Sequence, residues 1–267
     1  MATTTGKYAL ITGATSGIGY ELAKLFAQDG YNLVIVSRGQ DGLDKVAEEL
    51  QQQGVEVVSI SKDLFNREAS FEVYNEVKAK GIEPDVLVNN AGQGVYGEFV
   101  ETDINRELDI IQLNTASLIV LTKQYLKDMV ARGNGKILNV ASIASKVPGP
   151  FQSVYHGTKA FVLSFTEAIR NEVKDTGVTI TALMPGATET DFFNKADMEN
   201  SKIVQEGQLD DPEDVAKVGY EALMKGEDKV ISGFKNKAMV AMSNIMPDAI
   251  VAQQMHKQQE PVDPDKN

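Results

Sequence analysis

Tyr8-Ala9-Leu10-Ile11-Thr12-Gly13-Ala14-Thr15-Ser16-Gly17-Ile18-Gly19 is the stretch whose reading settles the architecture. A short apolar run at 8–12 reads as a strand, an amphipathic pattern at 18–28 reads as a helix, and a glycine-rich turn joins them. Gly13 permits a tight turn, Gly17 lets the backbone approach a pyrophosphate, and Gly19 lets the helix pack closely on the strand. The helix N-terminus offers free N–H groups and a positive dipole end, so Thr15, Ser16 and Ile18 join the glycines as expected cofactor contacts. An ordinary strand–helix turn is the plain alternative. A serine-hydrolase elbow is not: it needs G-x-S-x-G, and Ser16 falls one position late.

Outward from this turn, strand-like and helical patterns alternate. Segments 32–37, 55–60, 85–90, 136–142 and 178–185 are rich in Val, Ile and Leu without polar alternation, as strands covered on both faces require. Amphipathic segments at 42–53, 67–80, 105–132 and 155–175 lie between them. A seventh strand at 229–232 follows a helix at 212–225 that Asp211 would cap. The expectation is an α/β, Rossmann-like, doubly wound fold: a seven-stranded parallel sheet in order 3-2-1-4-5-6-7 with helices on both faces. No linker divides the chain, so 1–267 reads as one dinucleotide-binding domain. Within it, 186–207 reads as a substrate lid loop, 234–257 as a C-terminal amphipathic helix interrupted at Pro247, and 258–267 as a flexible tail.

Composition narrows the partners. A net charge of −12 leaves no basic surface for phosphate chains, so nucleic acid is not an expected partner. The chain has no cysteine, which removes disulfides, thiolate nucleophiles and cysteine-ligated metals; with only His156 and His256, no metal site is expected. The short polar start lacks the pattern of a signal peptide, and no apolar run is long enough to span a membrane. The reading is a cytoplasmic protein.

Cofactor choice is read at the end of the second strand. An acidic residue there would bind the ribose 2′-hydroxyl of NAD, whereas this chain has Ser37-Arg38 and no acid before Asp41. A guanidinium pairs bidentately with a phosphate and a serine hydroxyl adds a hydrogen bond, so NADP(H) is expected; a solvated surface arginine is the alternative. Further along, Tyr155-His156-Gly157-Thr158-Lys159 places a phenol and an amine at i, i+4, on one helical face. An ammonium about 4 Å from the phenol, at an effective dielectric near 20, is worth roughly 4 kcal/mol, enough to lower the phenol pKa by about 2–3 units. That suits proton transfer. His156 lies about 100° around the helix and points elsewhere.

These motifs, taken together, resemble the short-chain dehydrogenase/reductase family. Its pattern is matched in order by 12–19, by Asn89-Asn90-Ala91-Gly92 after the fourth strand, and by Asn114, Ser142, Tyr155 and Lys159. Pro185-Gly186-Ala187-Thr188-Glu189-Thr190 completes it. The flanks at 30–34 and 159–164 look most similar to bacterial carbonyl reductases near the 17β-hydroxysteroid and 3-ketoacyl reductases. The resemblance implies a nicotinamide-dependent oxidoreductase. Tyr155 would exchange a proton with the substrate oxygen and Ser142 would hold that oxygen. Lys159 would lower the tyrosine pKa and bind the nicotinamide ribose, and Asn114 would position a water linking Lys159 to solvent. Asp63 and Leu64 resemble the adenine-binding pair. Asn90, Ala91, Gly92, Pro185, Gly186, Thr188 and Thr190 would complete the cofactor site. It also implies a homodimer or homotetramer built from the helices after strands four and five.

The resemblance implies a small-molecule carbonyl or alcohol as substrate. Gln93, Tyr96 and Phe192 are expected to line its pocket beside Ser142 and Tyr155. Gly94, Val95, 147–152, Met184 and Phe193 flank the same positions, and their apolar character suggests a substrate with a hydrophobic body. The series Met239, Met242, Ile245, Met246, Ile250 admits packing on its own domain, a subunit contact or pocket cover, or attachment to a membrane surface. Two other functions are alternatives: an NADP(H)-binding sensor that keeps the fold without catalysis, and a sugar-nucleotide epimerase or dehydratase, for which the residues after Pro185 are too few to build a substrate domain.

Overall fold

The computed structural model describes residues 5–262. Seven parallel strands, β1 (Tyr8–Thr12), β2 (Asn32–Ser37), β3 (Val57–Ser61), β4 (Val86–Asn89), β5 (Gly135–Val140), β6 (Val178–Met184) and β7 (Lys229–Ile231), form one sheet in the order β3-β2-β1-β4-β5-β6-β7. Successive strand residues face opposite layers. Ala9, Ile11, Leu33 and Ile35 pack with Leu22, Phe26 and Leu223 on one face, while Leu10, Val34, Val36 and Leu87 pack with Val73, Leu121 and Tyr125 on the other. With both faces covered, the central strand positions on either face are apolar, which is why the strands carry no regular polar alternation; the polar residues they do bury, such as Asn89 and Asn139, are hydrogen-bonded.

On the first face lie α1 (Gly17–Gln28), α2 (Gln40–Gln51) and α9 (Pro212–Lys225); on the second lie α3 (Ala69–Ala79), α5 (Ser117–Arg132) and α6 (Ser153–Glu172). Helix α9 starts as its sequence prescribes. The Asp211 side chain accepts from Glu213 N, Pro212 takes the first turn, and Gly226 ends the helix at φ 71°. The segment expected as one helix at 105–132 is α4 (Ile104–Ile111), a π-helical turn at Gln112–Ala116, and α5. A wide turn inside a helix often marks a functional position, and this one contains Asn114.

Differences from the sequence reading concentrate after β6. The segment expected as a lid, 186–207, contains two single-turn helices, α7 (Phe192–Lys195) and α8 (Lys202–Gln205). The C-terminal helix is two helices, α10 (Phe234–Ser243) and α11 (Asp248–Gln259), with Pro247 between them. Their buried residues are Val240, Val251, Met255 and Gln259, whereas Met242, Ile245 and Ile250 from the methionine-bearing series are exposed. The tail expected to fray from 258 does not do so through 262. Gln258 and Gln259 complete α11, Ser201 bridges Pro261, and Val262 N donates to Asn200 O at 2.8 Å. Residues 263–267 of that tail, like residues 1–4, lie outside the described residues.

Candidate active site

Parallel strands all end at one edge of the sheet, and β1 is the point where the chain order reverses, with β2 on one side and β4 on the other. The loops leaving strands that run in opposite lateral directions open a crevice there. A cleft of about 690 Å³ occupies this edge and reaches the C-terminal helix.

Its floor is the glycine-rich turn. Gly13 and Gly17 hold φ of 66° and 54°, values that side chains with a Cβ adopt at a cost. A Cβ on Gly19 would strike Gly13 O and the Asn90 amide, so the third glycine serves the contact between the turn and the β4 end rather than helix–strand packing alone. Asn90 fixes that contact: its Nδ2 donates to Thr12 O at 2.9 Å and Gly13 O at 3.2 Å, while Thr12 Oγ1 accepts from the Asn90 and Ala91 amides. Ser16 caps α1 in extended conformation without a side-chain bond, leaving the first-turn amides facing the cleft. A Cβ on Gly17 would lie 2.7 Å from Thr190 Cγ2, so Thr190, expected in the cofactor site, sits directly over the turn.

At the far end, Thr15 Oγ1 and Ser37 Oγ are 3.0 Å apart. Arg38 is exposed, makes no ion pair among the described residues, and stacks its guanidinium 5.1 Å from the Phe65 ring centre. Asp63 Oδ1 accepts from Phe65 N and shapes the loop that carries Leu64. Phe65, a lining residue the sequence reading missed, was signalled only by lying next to the Asp63-Leu64 pair. These residues, the glycine cradle and the uncapped helix together fit a dinucleotide with an extra phosphate on its adenosine ribose.

Tyr155 and Lys159 lie one turn apart on α6, with Lys159 Nζ 5.8 Å from the Tyr155 ring centre. Nζ donates to Val140 O at 2.8 Å, at the end of β5. Ser142, just beyond that strand, accepts from Ala144 N and donates to Pro185 O at 3.4 Å, and its hydroxyl lies near enough to the Tyr155 phenol to pull the phenol pKa down. Asn114 projects from the π-helical turn; its Oδ1 accepts from Gln93 N at 3.0 Å, and its Nδ2 donates to Gln93 O and to Thr158 Oγ1. Gly92 packs against both Asn114 Oδ1 and Lys159 Nζ: a Cβ there would lie 3.2 and 3.4 Å from them. Thr158, missed in the sequence, passes the link on by donating to Tyr155 O at 2.7 Å. Its spacing one residue before Lys159 was the available signal. Asn89, the first residue of the NNAG run, is buried below and bonds Thr122 and Asn139, fastening α5 and β5 under the site.

The expected lowering of the Tyr155 pKa by Lys159 does not hold in this structure. Burial pushes the phenol up to about 12, and only the Ser142 hydrogen bond pulls the other way. Burial also pushes the Lys159 amine down, to about 8. Removing both groups from water penalises their charged forms, and Nζ is directed at a backbone carbonyl rather than at the phenolic oxygen.

Of the residues expected around the substrate, Gln93, Val147, Gln152, Phe192 and Phe193 line the cleft, and the Phe192 and Tyr155 ring centres are 5.0 Å apart. Tyr96 does not line it: its hydroxyl donates to Gln259 O at 2.5 Å and its ring packs on Phe151. Met184 is fully buried with Leu118 and Val162 in the core, and Val95 is likewise buried away from the cleft. Pro185, Gly186 and Thr188 form one wall, where Thr188 Oγ1 donates to Gly186 O and Asn236 packs on Gly186. Met255, Gln258 and Gln259 close the end of the cleft. A polar, proline-bearing tail gave no periodic signal for that placement.

A family model described as short chain dehydrogenase matches residues 7–201. The chain belongs to the short-chain dehydrogenase family. Short-chain dehydrogenases with similar sequences include the ketoacyl reductase HetN of Nostoc sp., 30% identical across 94% of this chain and 88% of that protein. A putative ketoacyl reductase of Streptomyces coelicolor is 36% identical across 71% and 74%. Among solved structures, the short-chain dehydrogenase from Sphingobium yanoikuyae in complex with NADPH superposes with a TM-score of 0.80 at 28% identity, covering 90% of this chain and 96% of that one. The chain is therefore an oxidoreductase of the short-chain dehydrogenase type, and no helix among its described residues is long and apolar enough to cross a membrane.

Proposed function

We propose that this protein is an NADP(H)-dependent carbonyl reductase, also able to run the reverse alcohol oxidation, acting on a ketone or aldehyde with a hydrophobic body. The observation that carries the reading is the convergence of Tyr155, Lys159 and Ser142 on the cleft floored by the glycine turn, with Asn114 buried behind them and tied to Gln93 and Thr158. The NADPH bound by the Sphingobium yanoikuyae relative and the ketoacyl reductase names of the sequence relatives support it.

Bound nicotinamide would supply or accept the hydride. The Thr12–Gly19 turn and Thr190 would hold its phosphates, Ser37 and Arg38 the 2′-phosphate, and Lys159 the ribose. Tyr155, neutral at pH 7 with its pKa near 12, holds the proton that a carbonyl oxygen needs as it gains negative charge. Ser142 donates a second hydrogen bond to that oxygen and orients it. Lys159, charged below pH about 8, stabilises the phenolate left behind. Asn114, tied to Gln93 and Thr158, keeps the route from Lys159 to solvent in register. The exposed Ile119 on α5 and Phe161 on α6 support assembly of copies through these helices.

Tyr155→Phe tests the mechanism. Turnover of ketones with NADPH should fall by about 10²–10⁴-fold while NADPH affinity persists. Undiminished turnover would refute the role given to the phenol, and a wild-type protein that binds NADPH but turns over no carbonyl would favour the sensor reading.

A further inference from the structure

Helices α10 and α11 enclose a second cavity of about 350 Å³. Its walls are Val147, Met239, Met242, Met246, Val251 and Met255, with few polar groups. Val147, Lys235, Met239, Met255 and Gln258 line both this cavity and the catalytic cleft, so the two adjoin across a shared set of side chains. The rim is apolar as well: Phe234, Met242 and Ile245 are 85%, 58% and 83% exposed.

We propose that this groove is the outer lobe of the substrate site and takes the unbranched alkyl chain of a ketone whose carbonyl sits at Tyr155. The inference rests on the carbonyl-reductase reading and names the substrate class for it. Adjacency to the cleft names the occupant, since a chain leaving the carbonyl past Val147, Met239 and Met255 is directed at the groove that these same residues line. The lining decides the chemistry. Four methionines offer flexible, polarisable surface that adapts to a mobile aliphatic chain and gives a polar or rigid body little to bind. A short ketone would fill the cleft alone and gain nothing from the groove.

The test uses a ladder of 2-alkanones, butan-2-one to decan-2-one, with NADPH. Once the chain reaches the groove, kcat/KM should rise about fourfold for each added methylene, the gain expected for burying one CH₂. Met242→Trp and Met246→Trp line the groove but not the cleft. They should abolish the rise for long chains and leave butan-2-one within about twofold of wild type, converted by the same burial scale. A flat wild-type ladder, or one that both variants leave unchanged, overturns the proposal. A second arm needs no turnover. Because the chain has no cysteine, Met242→Cys provides a single thiol, and decan-2-ol should slow its maleimide labelling severalfold while butan-2-ol does not. Protection without turnover in any ketone would keep the groove and remove the carbonyl-reductase reading; turnover without protection or chain-length dependence would do the reverse.

Discussion

Gln259 Nε2 lies 3.2 Å from His156 Nε2, joining the last turn of α11 to the residue next to the proposed proton donor. The tautomer follows from the other ring nitrogen. His156 Nδ1 is 2.8 Å from Val147 O and must donate to it, so Nε2 accepts from the Gln259 amide. Burial lowers the His156 pKa, which favours this neutral form. Gln259 O accepts from Tyr96, and the next residue, Glu260, pairs with Lys202 of the lid at 2.5 Å. The tail therefore binds the lid, the Tyr96 loop and the start of α6 together at the substrate end of the cleft.

Gln259→Ala should destabilise the protein by about 1–2 kcal/mol, because it leaves a buried acceptor on His156 without its donor. KM for a ketone should rise severalfold while NADPH affinity holds, since the tail closes only the substrate end. Urea denaturation and steady-state kinetics check both; equal KM values would mean that the strap does not shape the pocket.

Arg38→Asp should reverse the cofactor choice. Removing a charge-assisted contact to the 2′-phosphate and placing a carboxylate beside it should weaken NADPH by about 10–100-fold and improve NADH. The ratio of kcat/KM for the two cofactors measures this, and an unchanged ratio would assign the phosphate to another residue.

Gly19→Ala puts a methyl group against Gly13 O and the Asn90 amide. Because a backbone carbonyl cannot rotate out of the way, the variant should lose about 1–3 kcal/mol of stability and bind NADPH more weakly. Thermal melts with and without NADPH read both effects. Wild-type behaviour would show that the turn has more room than its contacts indicate.

Lys159→Met should change how stability depends on pH. The folded pKa of Lys159, about 8, lies below its ordinary 10.5, so between these values the unfolded chain holds the extra proton and stability rises with pH. The rise attributable to this group is on the order of 2–3 kcal/mol. Wild type minus Lys159→Met, compared by urea denaturation at pH 7.5 and pH 10.5, should show it; a difference independent of pH would place the amine in a wetter environment.

Much of this was written in local sequence. The β1 run, the glycines at 13, 17 and 19, and the i, i+4 spacing of Tyr155 and Lys159 are short-range features. Backbone sterics and helical geometry act on them over a few residues, so the strand–turn–helix unit, the cradle and the tyrosine–lysine face could be read directly. Tertiary structure decided what depends on burial and on distant partners. It reversed the pKa shift of Tyr155, because desolvation outweighs an amine turned toward Val140 O. It took Tyr96 away from the substrate and gave its hydroxyl to a residue 163 positions later. It also folded a polar tail with no periodic signal into the end wall of the cleft, through hydrogen bonds to the lid and to His156 that no window of neighbouring residues encodes.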